Sequence, residues 1–105
     1  MTGFSIAITT TNSQESAETI IAAVMNAKLA ACVQAFPVVS HYVWKDKLQR
    51  DDEVSLQIKI RTADYVALAA AIRAVHPYET PEILRVEIAE GENKYLDWIE
   101  TVTRR

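Results

Sequence analysis

ACVQAFPVVSHYVW, Ala31–Trp44, followed after Lys45 and Asp46 by KLQRDDEVSLQIKIR, Lys47–Arg61, is the stretch on which the fold turns. Its first half is apolar and rich in β-branched and aromatic residues, the composition of a strand. Only Pro37 interrupts it, and a residue without an N–H predicts a bulge or an unpaired edge position there. In the second half Val54, Leu56, Ile58 and Ile60 alternate with Ser55, Gln57, Lys59 and Arg61, the period of two of a strand with one buried face. Together they predict a hairpin. At this length each arm would span roughly 40 Å, about twice an ordinary strand, so the hairpin overshoots its own sheet. A two-stranded ribbon is marginal alone in water, and a tip carrying Tyr42 and Trp44 therefore needs something to pack on.

The flanking segments complete the topology. Phe4, Ile6 and Ile8 alternate with Ser5, Ala7 and Thr9 and predict a half-buried strand. Asn12 with Glu15 reads as a capping box, and Ala17, Ile20, Ile21, Val24 and Met25 recur at helical spacing. Beyond the hairpin, Tyr65, Leu68, Ala69 and Ile72 form the apolar stripe of a second helix. It has to stop before His76, because Pro77 biases the residue ahead of it away from helical geometry. Leu84, Val86 and Ile88 alternate with Arg85 and Glu87, a last strand ending at Gly91, and Tyr95, Trp98, Ile99 and Val102 predict a short terminal helix. The order βαββαβ plus a helix is an α+β fold of the ferredoxin-like, split βαβ kind. Helices on one side of such a sheet leave its other face open, and Ser5, Ala7, Ser55, Gln57 and Lys59 are expected there. The open face and the ribbon together favour self-assembly.

Composition narrows the function classes. With 105 residues, half of them hydrophobic and only two of them glycine, the chain reads as a single packed domain over residues 1–105. A net charge of −3 without a basic stripe argues against nucleic-acid binding. No apolar run approaches the roughly twenty residues that cross a bilayer. The N-terminus shows no charged segment followed by a long apolar run, and the lone Cys32 cannot form an intrachain disulfide, so a cytoplasmic location is expected.

The chemistry-bearing residues centre on HPYETPE, His76–Glu82, where Pro77 and Pro81 stiffen a connection holding a histidine, a tyrosine and two glutamates. His76 is the best single candidate for a metal ligand, and its bland alternative is a histidine that caps the helix before it. Cys32, in a strand-like apolar context, reads as a small buried hydrophobe, and His41 as an ordinary sheet residue. Asp51, Asp52 and Glu53 point alternately in a strand and cannot chelate one ion together, so they read as a solvated hairpin stem. Glu79 and Glu82 could pair with His76, yet no nucleophile completes a hydrolytic constellation, and the chain reads as a non-enzyme. Tyr42 and Trp44 read as subunit contacts.

LAACV (Leu29–Val33), YVWKDK (Tyr42–Lys47) and HPYETPE give the chain a resemblance to the CutA family of divalent-cation tolerance proteins over nearly its full length. The resemblance implies a compact homotrimer related in architecture to the PII signal-transduction proteins, with the long hairpin of one subunit packed on the next. Cys32, Trp44, Lys47, Lys59, His76, Pro77, Tyr78, Pro81 and Glu82 match the family pattern, and the resemblance implies that they converge at an intersubunit cleft. It also implies a role in the response to metal ions, with no required cofactor. Two departures stand out. Asp46 occupies the turn position where the family usually has glycine. Thr9 and Val75 stand where copper-associated members carry a cysteine and a second histidine, which leaves His76 as the retained ligand and makes copper binding weak. The alternative that the resemblance carries is a PII-like regulatory trimer binding a small metabolite in its clefts.

Overall fold

The computed structural model describes residues 2–105. Its elements are β1 (Phe4–Thr11), α1 (Gln14–Asn26), β2 (Cys32–Trp44), β3 (Lys47–Arg61), a 3-10 turn (Thr62–Asp64), α2 (Tyr65–Val75), β4 (Ile83–Glu87) and α3 (Asn93–Val102). The four strands form one sheet in the order β2-β3-β1-β4, with every neighbouring pair antiparallel. Each βα crossover skips one strand, which is the ferredoxin-like arrangement read from the sequence.

The hairpin sets the register of everything else. Its arms pair without interruption from Cys32–Lys59 to Trp44–Lys47, so Pro37 sits in an edge strand and produces no bulge. Leu56, Ile58 and Ile60 point toward α1 and α2 and are fully buried with Ile20, Val24, Leu68 and Ile72. β1 pairs Ser5 with Ile60, Ala7 with Ile58 and Thr9 with Leu56. Residues paired across an antiparallel ladder share a face, so Ser5, Ala7 and Thr9 lie beneath the helices.

That placement corrects the reading of β1. Ser5 and Ala7 were expected on the open face, but both are completely buried on the helical one, where small side chains let helices approach the sheet. Ile6 and Ile8 take the open face with Leu84 and Val86, which are 52% and 50% exposed. Ser55, Gln57 and Lys59 lie on that face as expected, one residue out of phase with the buried Leu56, Ile58 and Ile60. The open face is therefore more apolar than the sequence reading made it. It is also not wholly open, because Leu96 and Ile99 of α3 pack with Ala31 and Phe4 at one end. Arg61 ties the same helix down, donating to Glu100 at 3.0 Å and to the Thr103 carbonyl at 3.1 Å.

Three local expectations shift as well. The cap of α1 is Ser13, whose side chain accepts from the Ser16 N–H at 3.0 Å, rather than the Asn12–Glu15 box. β4 ends at Glu87, short of Gly91. In α3 the buried positions are Leu96 and Ile99, while Tyr95 and Trp98 stack on each other at 5.5 Å between ring centroids and remain partly exposed.

Of β3 only Val54–Arg61 pairs with β1, which leaves Lys47–Glu53 and its partner Val38–Trp44 projecting beyond the sheet. The principal extents of the molecule are 44, 26 and 21 Å. At the tip Lys45 and Asp46 both have positive φ, 52° and 63°, the two left-handed residues of a type I′ turn whose twist matches that of the strands it joins.

Candidate functional site

Pro77 ends α2 where the sequence places the stop, with His76 as the residue after its last turn. The His76 ring is held at both nitrogens. Its Nδ1 accepts from the Tyr78 backbone N–H at 3.1 Å, and its Nε2 lies 2.9 Å from the Thr10 carbonyl oxygen. An N–H can only donate and a carbonyl can only accept, so the ring is neutral with its proton on Nε2. The imidazole stitches the HPYETPE segment to the end of β1, and its ring packs against Tyr78 at 4.9 Å.

This stitch aims Tyr78 at the ribbon. The Tyr78 hydroxyl donates to Glu53 Oε2, and the Tyr42 hydroxyl donates to Asp51. Burial, followed by the Glu53 hydrogen bond and charge, pushes the Tyr78 phenol far above the usual tyrosine range. The hydrogen bond to Asp51 raises Tyr42 in the same direction. Both hydroxyls are thus fixed donors toward carboxylates.

Between the segment and the ribbon lies a groove of about 790 Å³, lined among others by Tyr42, Trp44, Tyr78, Glu53, Glu79 and Glu82. Of the residues expected at a cleft, it gathers Trp44, Pro77, Tyr78 and Glu82. Cys32 and Lys59 lie elsewhere: they face each other across the β2–β3 ladder at the α3 end of the sheet, where Lys59 Nζ donates to Gln34 at 2.6 Å. The Tyr95 phenol is raised first by burial and then by Cys32 beside it. Lys47 pairs with Trp44 at the ribbon tip but is not a wall of the groove. A single chain therefore does not assemble the whole expected set.

Two residues read as bland turn out to line the groove. His41 is one, and Glu53 is the other. Glu53 is only 9% exposed, unlike Asp51 and Asp52, so the solvated-stem reading fails for the last of the three carboxylates. Alternation from Leu56 outward already places Glu53 on the open-face side with Tyr42. What alternation lacks is the loop that covers it, since Tyr78 comes from a segment distant in sequence.

The described residues do not fit a resident metal centre. No three histidine, cysteine, aspartate or glutamate side chains among them converge on one point. His76 offers no free lone pair. Thr9 is fully buried under the helices and Val75 lies at the end of α2, and neither side chain is a ligand for copper.

Comparison with known proteins agrees with this architecture. The family described as CutA1 divalent ion tolerance protein matches residues 5–102. Protein CutA of Mus musculus is 38% identical over 100 residues, which are 94% of this chain and 56% of the mouse protein. The chain thus spans about half the length of that relative. The divalent-cation tolerance protein CutA of Thermus thermophilus is 39% identical over 95 residues, covering 90% of this chain and 92% of the relative. Among solved structures, the periplasmic divalent cation tolerance protein CutA from Archaeoglobus fulgidus superposes with a TM-score of 0.94 at 32% identity, covering 96% of this chain and 99% of that one.

Proposed function

The chain belongs to the CutA1 divalent ion tolerance protein family, and on that premise we propose that it acts as a homotrimer in the cellular response to divalent metal ions. The observation that carries this reading is the ribbon, Val38–Trp44 with Lys47–Glu53, which extends past its own sheet with Val43 and Leu48 exposed. The apolar open face with Ile6, Ile8, Leu84 and Val86 offers a surface of matching character. Closed cyclic symmetry satisfies both at once, since each subunit gives a ribbon and receives one. In this arrangement Cys32 and Lys59 of one copy are brought toward the groove of another, which joins the expected cleft residues that a single chain keeps apart.

Copper is a weak ligand in this reading and not a resident cofactor. His76 is the retained position of the ligand set, and binding there has to displace the hydrogen bond that the Tyr78 N–H makes to Nδ1. Protons compete for the same lone pair, so affinity falls as the pH is lowered. The lone Cys32 supports a reducing, cytoplasmic setting, which fractionation of cells would test.

Size exclusion coupled to light scattering tests the assembly, with about three chains per particle expected for a cyclic trimer and a monomer at micromolar concentration counting against it. Calorimetric titration with Cu(II) at two pH values, on the native protein and on His76→Ala, tests the metal. Tight binding that survives the substitution would place copper elsewhere. A second reading, a PII-like regulatory trimer taking a small metabolite, is favoured by the size of the groove. A ligand that binds only the folded state raises its melting temperature, so a panel of metals, nucleotides and small metabolites separates the two.

A further inference from the structure

α3 is held to the molecule differently from α1 and α2. Those two share the main core, where Ile20, Val24, Leu68 and Ile72 are fully buried with Ile58. α3 instead buries Leu96 and Ile99 in a separate, smaller cluster with Ala31 and Phe4. Its own sequence does little to hold it helical. Lys94, Leu96 and Glu100 aside, Asn93–Val102 is built from weak helix formers. No acidic residue stands in its first turn and no basic one in its last, and among the described residues no side chain caps its start. A helix of 10 residues with these deficits is marginal in water and persists only while docked.

The two ends of this helix are secured in different ways. Ahead of it, Ile88 is fixed to the start of β1: its N–H donates to the Phe4 carbonyl at 3.0 Å, and its own carbonyl accepts from Thr2 Oγ1 at 2.7 Å. Residues 89–92, Gly91 among them, then run exposed and outside any helix or strand. Beyond the helix the ties are ionic. Arg105 donates to the two oxygens of Asp64 at 2.6 and 3.2 Å and to the Lys28 carbonyl at 3.0 Å. Arg61 spans Asp64 at 3.1 Å and Glu100 at 3.0 Å. Asp64 is buried between the two guanidinium groups. Burial raises its carboxyl, but the guanidinium groups more than reverse that and hold it below the usual carboxylate range, so this latch is charged and shut at neutral pH.

We propose that α3 is a hinged strap, swinging about residues 89–92 and latched by Asp64, that sets how much of the apolar open face the molecule presents. Closed, it covers Phe4 and Ala31, and that face is confined to Ile6, Ile8, Leu84 and Val86. Open, it joins Phe4 and Ala31 to them and takes Tyr95 away from Cys32. Because Ile88 stays bonded to Phe4, the sheet and the main core survive the opening. No metal, groove ligand or particular assembly state is required.

Hydrogen–deuterium exchange of the full chain at neutral pH, read by mass spectrometry of its peptides, tests it. The amides of Leu96–Thr103 are expected to exchange more than about tenfold faster than those of Leu56–Ile60, because the strap opens without global unfolding. Asp64→Asn should speed the α3 amides by about a further tenfold, as for the loss of one charge-assisted bond, and leave Leu56–Ile60 unchanged. If that variant fails to fold, Arg105→Gln on the solvent side of the latch decides by a smaller change of the same kind. Binding of anilinonaphthalene sulfonate, which reports exposed apolar surface, should rise with the α3 exchange. The proposal is overturned if α3 and β3 exchange together in the native protein, as they would with a neighbouring copy clamped over the helix. It is equally overturned if the variant that folds speeds both elements or neither, or if α3 exchange rises with no gain in dye binding.

Discussion

At the inner end of the β2–β3 hairpin Leu56, Ile58 and Ile60 are fully buried beneath α1 and α2, whereas at the outer end Val43 and Leu48 stand 71% and 78% exposed beside the turn. The strands are continuous from one end to the other, and so is their register. What changes is the supply of covering elements. Inside, two helices lie over one face, and alternation sorts apolar from polar residues cleanly. Outside, among the described residues, only the HPYETPE segment covers the ribbon, and alternation there sorts aromatic residues and carboxylates toward a groove. A strand pattern thus specifies a face, and the rest of the chain decides whether that face becomes core, cleft or contact surface.

The difference is sharpest for truncations. Ile58→Ala removes a fully buried side chain at the centre of the core and should cost about 2–5 kcal/mol in urea unfolding. A loss below about 1 kcal/mol would mean that the inner end is packed as loosely as the outer one. Trp44→Ala should instead leave the fold of the monomer intact and weaken assembly by on the order of 2 kcal/mol, read from the dilution at which the particle dissociates. Equal losses of fold and assembly would erase the distinction between the two ends.

Two smaller changes probe each end for stored strain. Thr9 Oγ1 is buried at the inner end with no hydrogen-bond partner among the described residues. Thr9→Val keeps the shape while deleting the orphan hydroxyl, and should raise stability by about 1 kcal/mol in the same urea assay. At the outer end Asp46 carries φ of 63°. Asp46→Gly relieves that conformation, and a gain of about 0.5–1 kcal/mol is expected, smaller than the intrinsic left-handed penalty because aspartate tolerates it better than most residues. If the turn variant stabilises more than the core variant does, the strain in this molecule sits at the tip.

The sequence made β3 legible because its alternation is clean from Val54 to Arg61, and it made the end of α2 legible because Pro77 forbids continuation. β1 was legible as a strand but not as to its buried side. Both of its faces carry apolar residues, and the larger ones, Ile6 and Ile8, lie away from the helices. The candidate site divides in the same way. Tyr78 and Glu82 could be found from a stiff proline-bounded segment, and Trp44 from its place on an overlong ribbon. Glu53 could not, because its burial depends on a tyrosine reaching it from twenty-five positions further along the chain. Cys32 and Lys59 are joined to that groove only if a second copy supplies them.

Pro37 gives the hairpin one further property. β2 is the outermost strand of the sheet, and along its free side its backbone presents a template onto which another extended chain could add. A proline held in unbroken register must turn its nitrogen to that free side, where it offers no hydrogen to an incoming strand. The exposed border is thereby cut into two short stretches, Cys32–Phe36 and Val38–Trp44. A strand adding along this border would lose a ladder hydrogen bond at Pro37, so the same residue that marked an edge in the sequence weakens pairing along the free side of the hairpin.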